Sequence, residues 1–293
     1  MPYILKKFEV KEKKLIDDFL IEDVKLSSKL SQSLLAKGKV LNQDNKRLQK
    51  KQTIKSGFIQ INIFQAITKG LKPLFQNEHF AIFDKPSGLL VHPTLINDEY
   101  TLLDEIKYHL KDDASLVHRI DKETSGLVLV SKNRYSDMIL KEMFEEKKYK
   151  KTYKAIVEGE IKEEIQIKTP ITNDTGIIKL KMKTDEKGKA SSTKIKPIFY
   201  DKNQNKTLVY AYPQTGRQHQ IRVHLNSINH RIIGDPIYGI DELHADRILK
   251  KELTKEERII LSGDKRLLLH AYSLKFNFLN INYNFCSKQN FKL

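Results

Sequence analysis

What most constrains the fold is the order in which two hydrophobic periodicities follow one another from Leu74 onward. Alternating or short apolar runs mark strands near residues 80–83, 127–130, 152–157, 207–212 and 274–278, and helical stretches intervene near 101–110, 134–146 and 217–228. A doubly wound parallel sheet needs a regular βαβ repeat of continuously apolar strands, whereas here several strands alternate and those at 152–157 and 207–212 follow one another with no helix between. The pattern therefore predicts an α+β domain built on a mixed, largely antiparallel sheet flanked by helices.

Before Leu74 the chain reads differently. Leu26, Leu30, Leu34 and Leu35 recur near helical spacing with Gly38 behind them as a C-cap, which predicts a short amphipathic helix over 26–37. Residues 58–64 alternate, with Ile59, Ile61 and Ile63 on one face and Gln60 and Asn62 on the other, the pattern of a half-buried strand. Gly70 and Pro73 then punctuate a segment without periodicity and place a linker over 65–73. The expected organisation is a small basic α/β domain over 1–72 and a larger domain over 75–293.

Charge is where composition enters. The first 75 residues hold 16 Lys and Arg against 7 Asp and Glu, a surplus of 9 within a chain whose formal net charge is +16. Such a face suits a polyanion, because each phosphate neutralised by a cation releases condensed counterions; a general lysine bias in the composition accounts for the number equally well. Cys286 is the single cysteine, which excludes an intrachain disulfide and a cysteine-built zinc site. The opening MPYILKKFEV has no apolar core of a signal peptide, and no apolar run is long enough to span a bilayer. A cytoplasmic, monomeric protein without membrane contact is expected.

The segment most suggestive of chemistry is VHRIDKETSGLVLVSKN at 117–133, where a charged turn runs straight into an apolar strand with Asp121 at its lip. Thr124, Ser125 and Gly126 form a polar turn able to hold that loop rigid. Taken alone, the residues fit a structural Asx-type turn with Arg119 and Asp121 as a surface ion pair at least as well as a catalytic loop. His118, His219 and His224 invite a metal reading, but a spacing of five along a helix does not bring two rings onto one face, so no metal is expected.

Five further segments, in order, join this one. They are Asp84-Lys85-Pro86-Ser87-Gly88 with Val91-His92-Pro93; Lys151-Thr152-Tyr153-Lys154-Ala155-Ile156-Val157-Glu158-Gly159; Thr215-Gly216-Arg217-Gln218-His219-Gln220-Ile221-Arg222-Val223-His224-Leu225; Gly234-Asp235-Pro236 with Tyr238-Gly239; and Leu269-His270-Ala271. Together with His118-Arg119-Ile120-Asp121 and Thr124-Ser125-Gly126, this ordered set resembles the RluA-type RNA pseudouridine synthases over about residues 75–293. Ile120 replaces the usual Leu of that family, an apolar exchange. The N-terminal unit resembles an S4-type RNA-binding module at Leu26-Ser27-Ser28-Lys29-Leu30 and Lys37-Gly38-Lys39-Val40, but departs from it at Leu41-Asn42-Gln43-Asp44-Asn45 and Gly57-Phe58.

The resemblance implies a reaction that breaks an N–C glycosidic bond of uridine and joins the base to the same ribose through carbon, with no cofactor. It implies Asp121 as the catalytic carboxylate, attacking C1′ or acting through a glycal-type route. It also implies Arg222 as the cation that keeps Asp121 ionised, four residues after Gln218 on one face of the expected helix. Tyr153, which periodicity alone makes a core aromatic, moves to the pocket as a stacking and proton-transfer group. Arg119 is implied to insert into the RNA as the target nucleotide flips out, with His118, Arg217 and Ile221 in contact with substrate. Ribosomal RNA is favoured over transfer RNA as partner. The competing reading is a catalytically silent RNA-binding or ribosome assembly factor of the same fold.

Overall fold

The computed structural model describes residues 3–64, 66–93, 99–111 and 113–289. Gln65, the first residue of the expected linker, lies outside them. The chain divides into two compact units: residues 1–68 with 93–100, and residues 69–92 with 101–293.

The first unit runs β1 (Tyr3–Val10), β2 (Lys14–Leu15), α1 (Ile16–Glu22), α2 (Ser28–Ala36), β3 (Val40–Asn42), β4 (Thr53–Ile54) and β5 (Gly57–Phe64). Its sheet has the antiparallel order β1-β5-β3, and Ile16, Leu20, Leu35, Val40, Ile59 and Ile61 bury a core between sheet and helices. Ser27 caps α2 by accepting from the Leu30 N–H at 3.3 Å, and Gly38 follows it at φ 63°. Strict alternation in β5 fails at one place. Gln60 is buried rather than solvent-facing, and its amide donates to Asn45 Oδ1 at 2.8 Å, because β5 is the central strand.

The second unit runs β6 (Phe75–Gln76), β7 (Phe80–Lys85), α3 (Leu102–Leu110), β8 (Ser115–Leu116), β9 (Ser125–Ser131), α4 (Arg134–Glu145), β10 (Tyr149–Glu158), β11 (Ile165–Ile167), β12 (Ile171–Asn173) and β13 (Met182–Thr184). It continues with β14 (Thr193–Asp201), β15 (Lys206–Pro213), α5 (Gln220–Ser227), α6 (Glu242–Leu249), α7 (Lys255–Ser262), β16 (Leu269–Phe278) and β17 (Ile281–Cys286). The main sheet has the order β11-β14-β15-β10-β16-β9-β7-β6, with β17 added to β16 and β8 to β9. This is the α+β architecture that the strand order predicts.

Two half-sheets of antiparallel strands meet at one parallel seam, where β16 and β9 share only the pairs His270↔Ser125 and Ala271↔Gly126. In the first half, β9 is buried on both faces, which is why it reads LVLV rather than alternating. Helix α3 covers one side through Leu102, Ile106 and Leu110, and α4 the other through Leu140 and Met143. The second half buries Ala155, Val157, Ile195 and Val209 beneath Ile221 and Leu225 of α5.

The seam explains a motif. A Cβ on Gly126, whose φ is 113°, would lie 2.4 Å from the Ala271 carbonyl oxygen, so the two strands can touch only at glycine. Ser125 and Gly126, expected within a polar turn, instead open β9, so the TSG and LHA segments are two sides of one contact.

Candidate active site

A cleft opens where the two half-sheets meet, walled by Arg119, Ile120, Asp121 and Thr124 from the β8–β9 loop. Tyr149, Lys151 and Tyr153 of β10, the turn at 213–219 and the first turn of α5 complete it. Its volume of about 130 Å³ is room for roughly ten water-sized spheres, enough for a pyrimidine ring.

Asp121 is partly exposed at the lip of this cleft, and its loop is held from below. Lys85, fully buried, donates from Nζ to the carbonyls of Pro86, Leu89 and Lys122 at 3.0, 2.7 and 3.0 Å. Burial draws this amine down to about 7, yet three carbonyl acceptors match the three N–H bonds of an ammonium, and on that geometry it is charged. The Gly88 N–H also donates to Lys122 O at 2.9 Å, and the Ser87 hydroxyl to Glu123 O at 2.6 Å. The KPSG segment, readable in sequence only as turn punctuation, is therefore a clamp on the residues just after Asp121.

Arg222 enters from α5 and is 2% exposed. Its Nε and Nη2 donate to the two oxygens of Asp235 at 2.7 and 2.8 Å, and its Nη1 reaches Asp121 Oδ2 at 3.3 Å. Asp235 also accepts from the N–H groups of Ile237 and Tyr238 at 2.9 and 3.1 Å. The guanidinium lies over the Tyr238 ring, 5.0 Å from its centre. Burial opposes its charge, but the carboxylates outweigh burial and raise its pKa above the ordinary arginine value. Asp235 thus fixes the fork that presents one N–H to Asp121. The sequence offers Asp235 only as part of a GDP turn; a carboxylate locked between Gly and Pro is its available signal.

Helix α5 begins at Gln220, later than the expected 217, with His219 at its N-terminus in the left-handed region at φ 55°. Gln218 therefore shares no helical face with Arg222, a correction to the expected geometry. The turn is closed instead by the Gln220 amide, which accepts from Thr215 Oγ1 at 2.6 Å and the Arg217 N–H at 3.0 Å. It donates to Ser192 O and Thr193 Oγ1, both at 2.9 Å.

Tyr238 Oη accepts from the Met182 N–H at 2.9 Å, which leaves its own proton for His219 Nδ1 at 2.9 Å. That assignment puts the imidazole proton on Nε2, 3.9 Å from Asp121. The distance would suit an ion pair, but burial and the Arg222 charge bring His219 down to about 4, so it is neutral at neutral pH.

Tyr153 is 9% exposed and walls the cleft. Burial and the Asp121 charge push its phenol above the ordinary tyrosine value, so it holds its proton. Lys151 stands beside it with Nζ 4.6 Å from the centre of the Phe144 ring, and burial draws it to about 7. Arg119 and Arg217 are exposed at the rim, and Ile221 forms part of the wall.

His118 does not line the cleft. Its ring stacks on Phe144 at 4.8 Å and its Nε2 accepts from the Leu129 N–H at 3.1 Å, so it supports the loop from behind rather than facing substrate. Asp121 pairs with Arg222 rather than with Arg119 in a surface ion pair. His224 is buried against Thr193 and Ser191. Among the described residues no three His, Cys, Asp or Glu side chains converge as a metal site, and no helix is long and apolar enough to cross a membrane.

Residues 79–227, just over half the chain, match the family described as RNA pseudouridylate synthase. The chain belongs to that family. It is therefore an isomerase acting on RNA. An uncharacterized RNA pseudouridine synthase of Helicobacter pylori strain J99 is 36% identical over 292 residues, covering 98% of this chain and 96% of that one. Ribosomal large subunit pseudouridine synthase D of Zymomonas mobilis is 34% identical over 179 residues, 58% of this chain and 56% of that one. The structure of human RNA pseudouridylate synthase domain containing 1 shares the fold of the synthase at a TM-score of 0.59 and 21% identity, over 75% of this chain and 84% of that one.

Proposed function

We propose that the synthase isomerises uridines in structured ribosomal RNA of the large subunit, with Asp121 as its catalytic carboxylate. The observation that carries this reading is the Asp121–Arg222–Asp235 chain at the mouth of a pyrimidine-sized cleft. A carboxylate must stay ionised in that cleft once RNA excludes water, and the fixed guanidinium opposes the desolvation that would protonate it. Asp121 then acts at the ribose, as a nucleophile on C1′ or through a glycal-type route.

Tyr153 stays protonated under the same conditions, so it offers a flat ring to the base and a hydroxyl for proton transfer at the sugar. Arg119, exposed at the rim, enters the RNA in place of the flipped nucleotide, and Arg217 holds phosphate. The ribosomal substrate is supported by the relatives of Zymomonas mobilis and Nitrosomonas europaea, each bearing the name ribosomal large subunit pseudouridine synthase D. The basic first unit supplies further RNA contacts, in the manner of an S4-type module.

The test is a pseudouridine map of total RNA from cells with the wild-type protein, with Asp121→Asn and with neither. Sites in large-subunit RNA should depend on the wild type. Asp121→Asn should abolish them while keeping RNA affinity within a few-fold, since phosphate contacts supply most of it. Residual turnover above about one per cent would remove Asp121 from the essential role.

A further inference from the structure

The active cleft uses one face of β10 and β15; the opposite face of the same strands carries residues that no step of uridine isomerisation uses. Tyr153 and Ala155 pair with Ala211 and Val209 and are buried with Ile195. Alternation sends the residues between them the other way. Lys154 stands opposite Tyr210, Tyr210 opposite Lys196, and Tyr212 opposite Lys194.

Tyr272, passed over where the β10–β16 register shifts, joins this set. Its ring lies 6.0 Å from that of Tyr210 with the planes 18° apart, and Lys154 Nζ sits 3.9 Å from its centre. Tyr210 and Tyr212 are 6.3 Å apart. All six side chains are partly or fully exposed.

The face continues past Lys150, which stands opposite Lys275, into a groove that also holds Lys147, Lys148 and Tyr149. Tyr149 is at the same time a wall of the active cleft. A basic path therefore leads from the cleft, around the start of β10, to the tyrosines behind it.

We propose that this back face is a second RNA-binding surface, which takes a single-stranded segment of the substrate by stacking bases on Tyr210, Tyr212 and Tyr272 and seating phosphates on Lys154 and Lys196. Exposed aromatic rings between cations on an antiparallel sheet suit unpaired bases, because every base has a flat face to stack and a backbone charge to neutralise. An acidic protein would satisfy the lysines but has no use for neighbouring ring faces. The inference does not depend on the role of Asp121.

The experiment is binding of the full-length protein to a labelled oligo-adenosine RNA, which carries no target uridine. The double variant Tyr210→Ala/Tyr272→Ala should bind it about ten-fold or more weakly, two stacking positions being lost. Tyr210→Phe/Tyr272→Phe should stay within about two-fold, since the ring faces remain. Lys154→Gln/Lys196→Gln should make the slope of log affinity against log salt shallower by about 1.4. Ultraviolet cross-linking with mass spectrometry should find RNA adducts on peptides containing Tyr210 or Tyr272, a readout that survives if the alanine variant does not fold. Unchanged affinity in the alanine variant would overturn the proposal, as would equal losses in the Phe and Ala variants, or an absence of adducts at both peptides. A response to the lysine changes with none to the tyrosine changes would overturn it too, leaving a surface for acidic protein or for polyanions in general.

Discussion

At the scale of single residues, the site rests on a buried cation shared between two carboxylates of unequal duty. Asp235 uses both oxygens on Arg222 and accepts two backbone N–H groups as well, while Asp121 receives one longer contact and faces the cleft. Removing the anchor should cost more stability than removing Asp121, the proposed catalytic group. Asp235→Asn keeps the shape but leaves the Arg222 charge short of a partner, and the predicted loss is about 3–5 kcal/mol of stability. The freed fork should also lower kcat about a hundred-fold with KM little changed. Thermal melts and single-turnover rates on one variant check both. The resemblance pointed to Asp121, Tyr153 and Arg222, but the pairing of Arg222 with Asp235 depends on a turn closing back across more than ten residues, which local spacing does not encode.

Titration belongs to the same scale. His219 and His270 are both drawn down to about 4, mainly by burial and by the charges of Arg222 and Arg266 respectively. The unfolded chain binds these protons near pH 6.5 and the folded one does not, so stability rises with pH across that interval. The contribution is fully present above about pH 6.5, falls away as pH drops toward 4, and is gone below. Each histidine accounts for roughly 3 kcal/mol. Unfolding free energies should therefore begin to fall below about pH 6.5, ahead of the carboxylate range; a curve flat from pH 7 to pH 5 would contradict the neutral assignment.

At the scale of elements, the strands of the main sheet were legible because period two and continuous apolar runs are local signals. The helix at the cleft was legible only in part. Its start at Gln220 is set by the Gln220 amide bonding Thr215 and Ser192, contacts that spacing within the helix does not reveal. The parallel seam was not legible, since only two residue pairs form it across a long separation.

Glycine at that seam gives an element-level prediction. Gly126→Ala drives a Cβ into the Ala271 carbonyl and leaves an alanine at φ 113°. The two half-sheets must part there, directly beside Thr124 and the Asp121 loop. Stability should fall by at least about 2 kcal/mol, and turnover with it. Gly88→Ala is the control, since its Cβ meets nothing within 4 Å although its φ is 83°. It should cost only the backbone strain, about 1–2 kcal/mol. Equal effects of the two in a chemical denaturation series would mean that the seam can open without harm.

At the scale of the molecule, the expected boundary near residue 72 can be replaced by one argued from hydrogen bonds. Lys69 and Leu71 belong to the second unit, and their N–H groups donate to Glu105 Oε1 at 2.6 and 3.2 Å. Glu105 is fully buried on α3, and Leu71 packs on the cluster beneath that helix. Composition around Gly70 and Pro73 marked a linker but could not show that its second half serves the larger unit. Removing residues 1–66 should leave these contacts whole, and the remaining chain should fold and still isomerise uridine at high RNA concentration. Removing residues 1–72 should cost a further 1–3 kcal/mol or so, because a buried carboxylate loses two of its donors. Both truncations discard most of a basic surplus of 9 charges, so their affinity for RNA should drop and the salt slope should become shallower by at least about 2. A shorter chain with the salt slope and site choice of the full protein would deny the first unit any part in RNA binding. Two truncations of equal stability would deny the Glu105 contacts their structural weight.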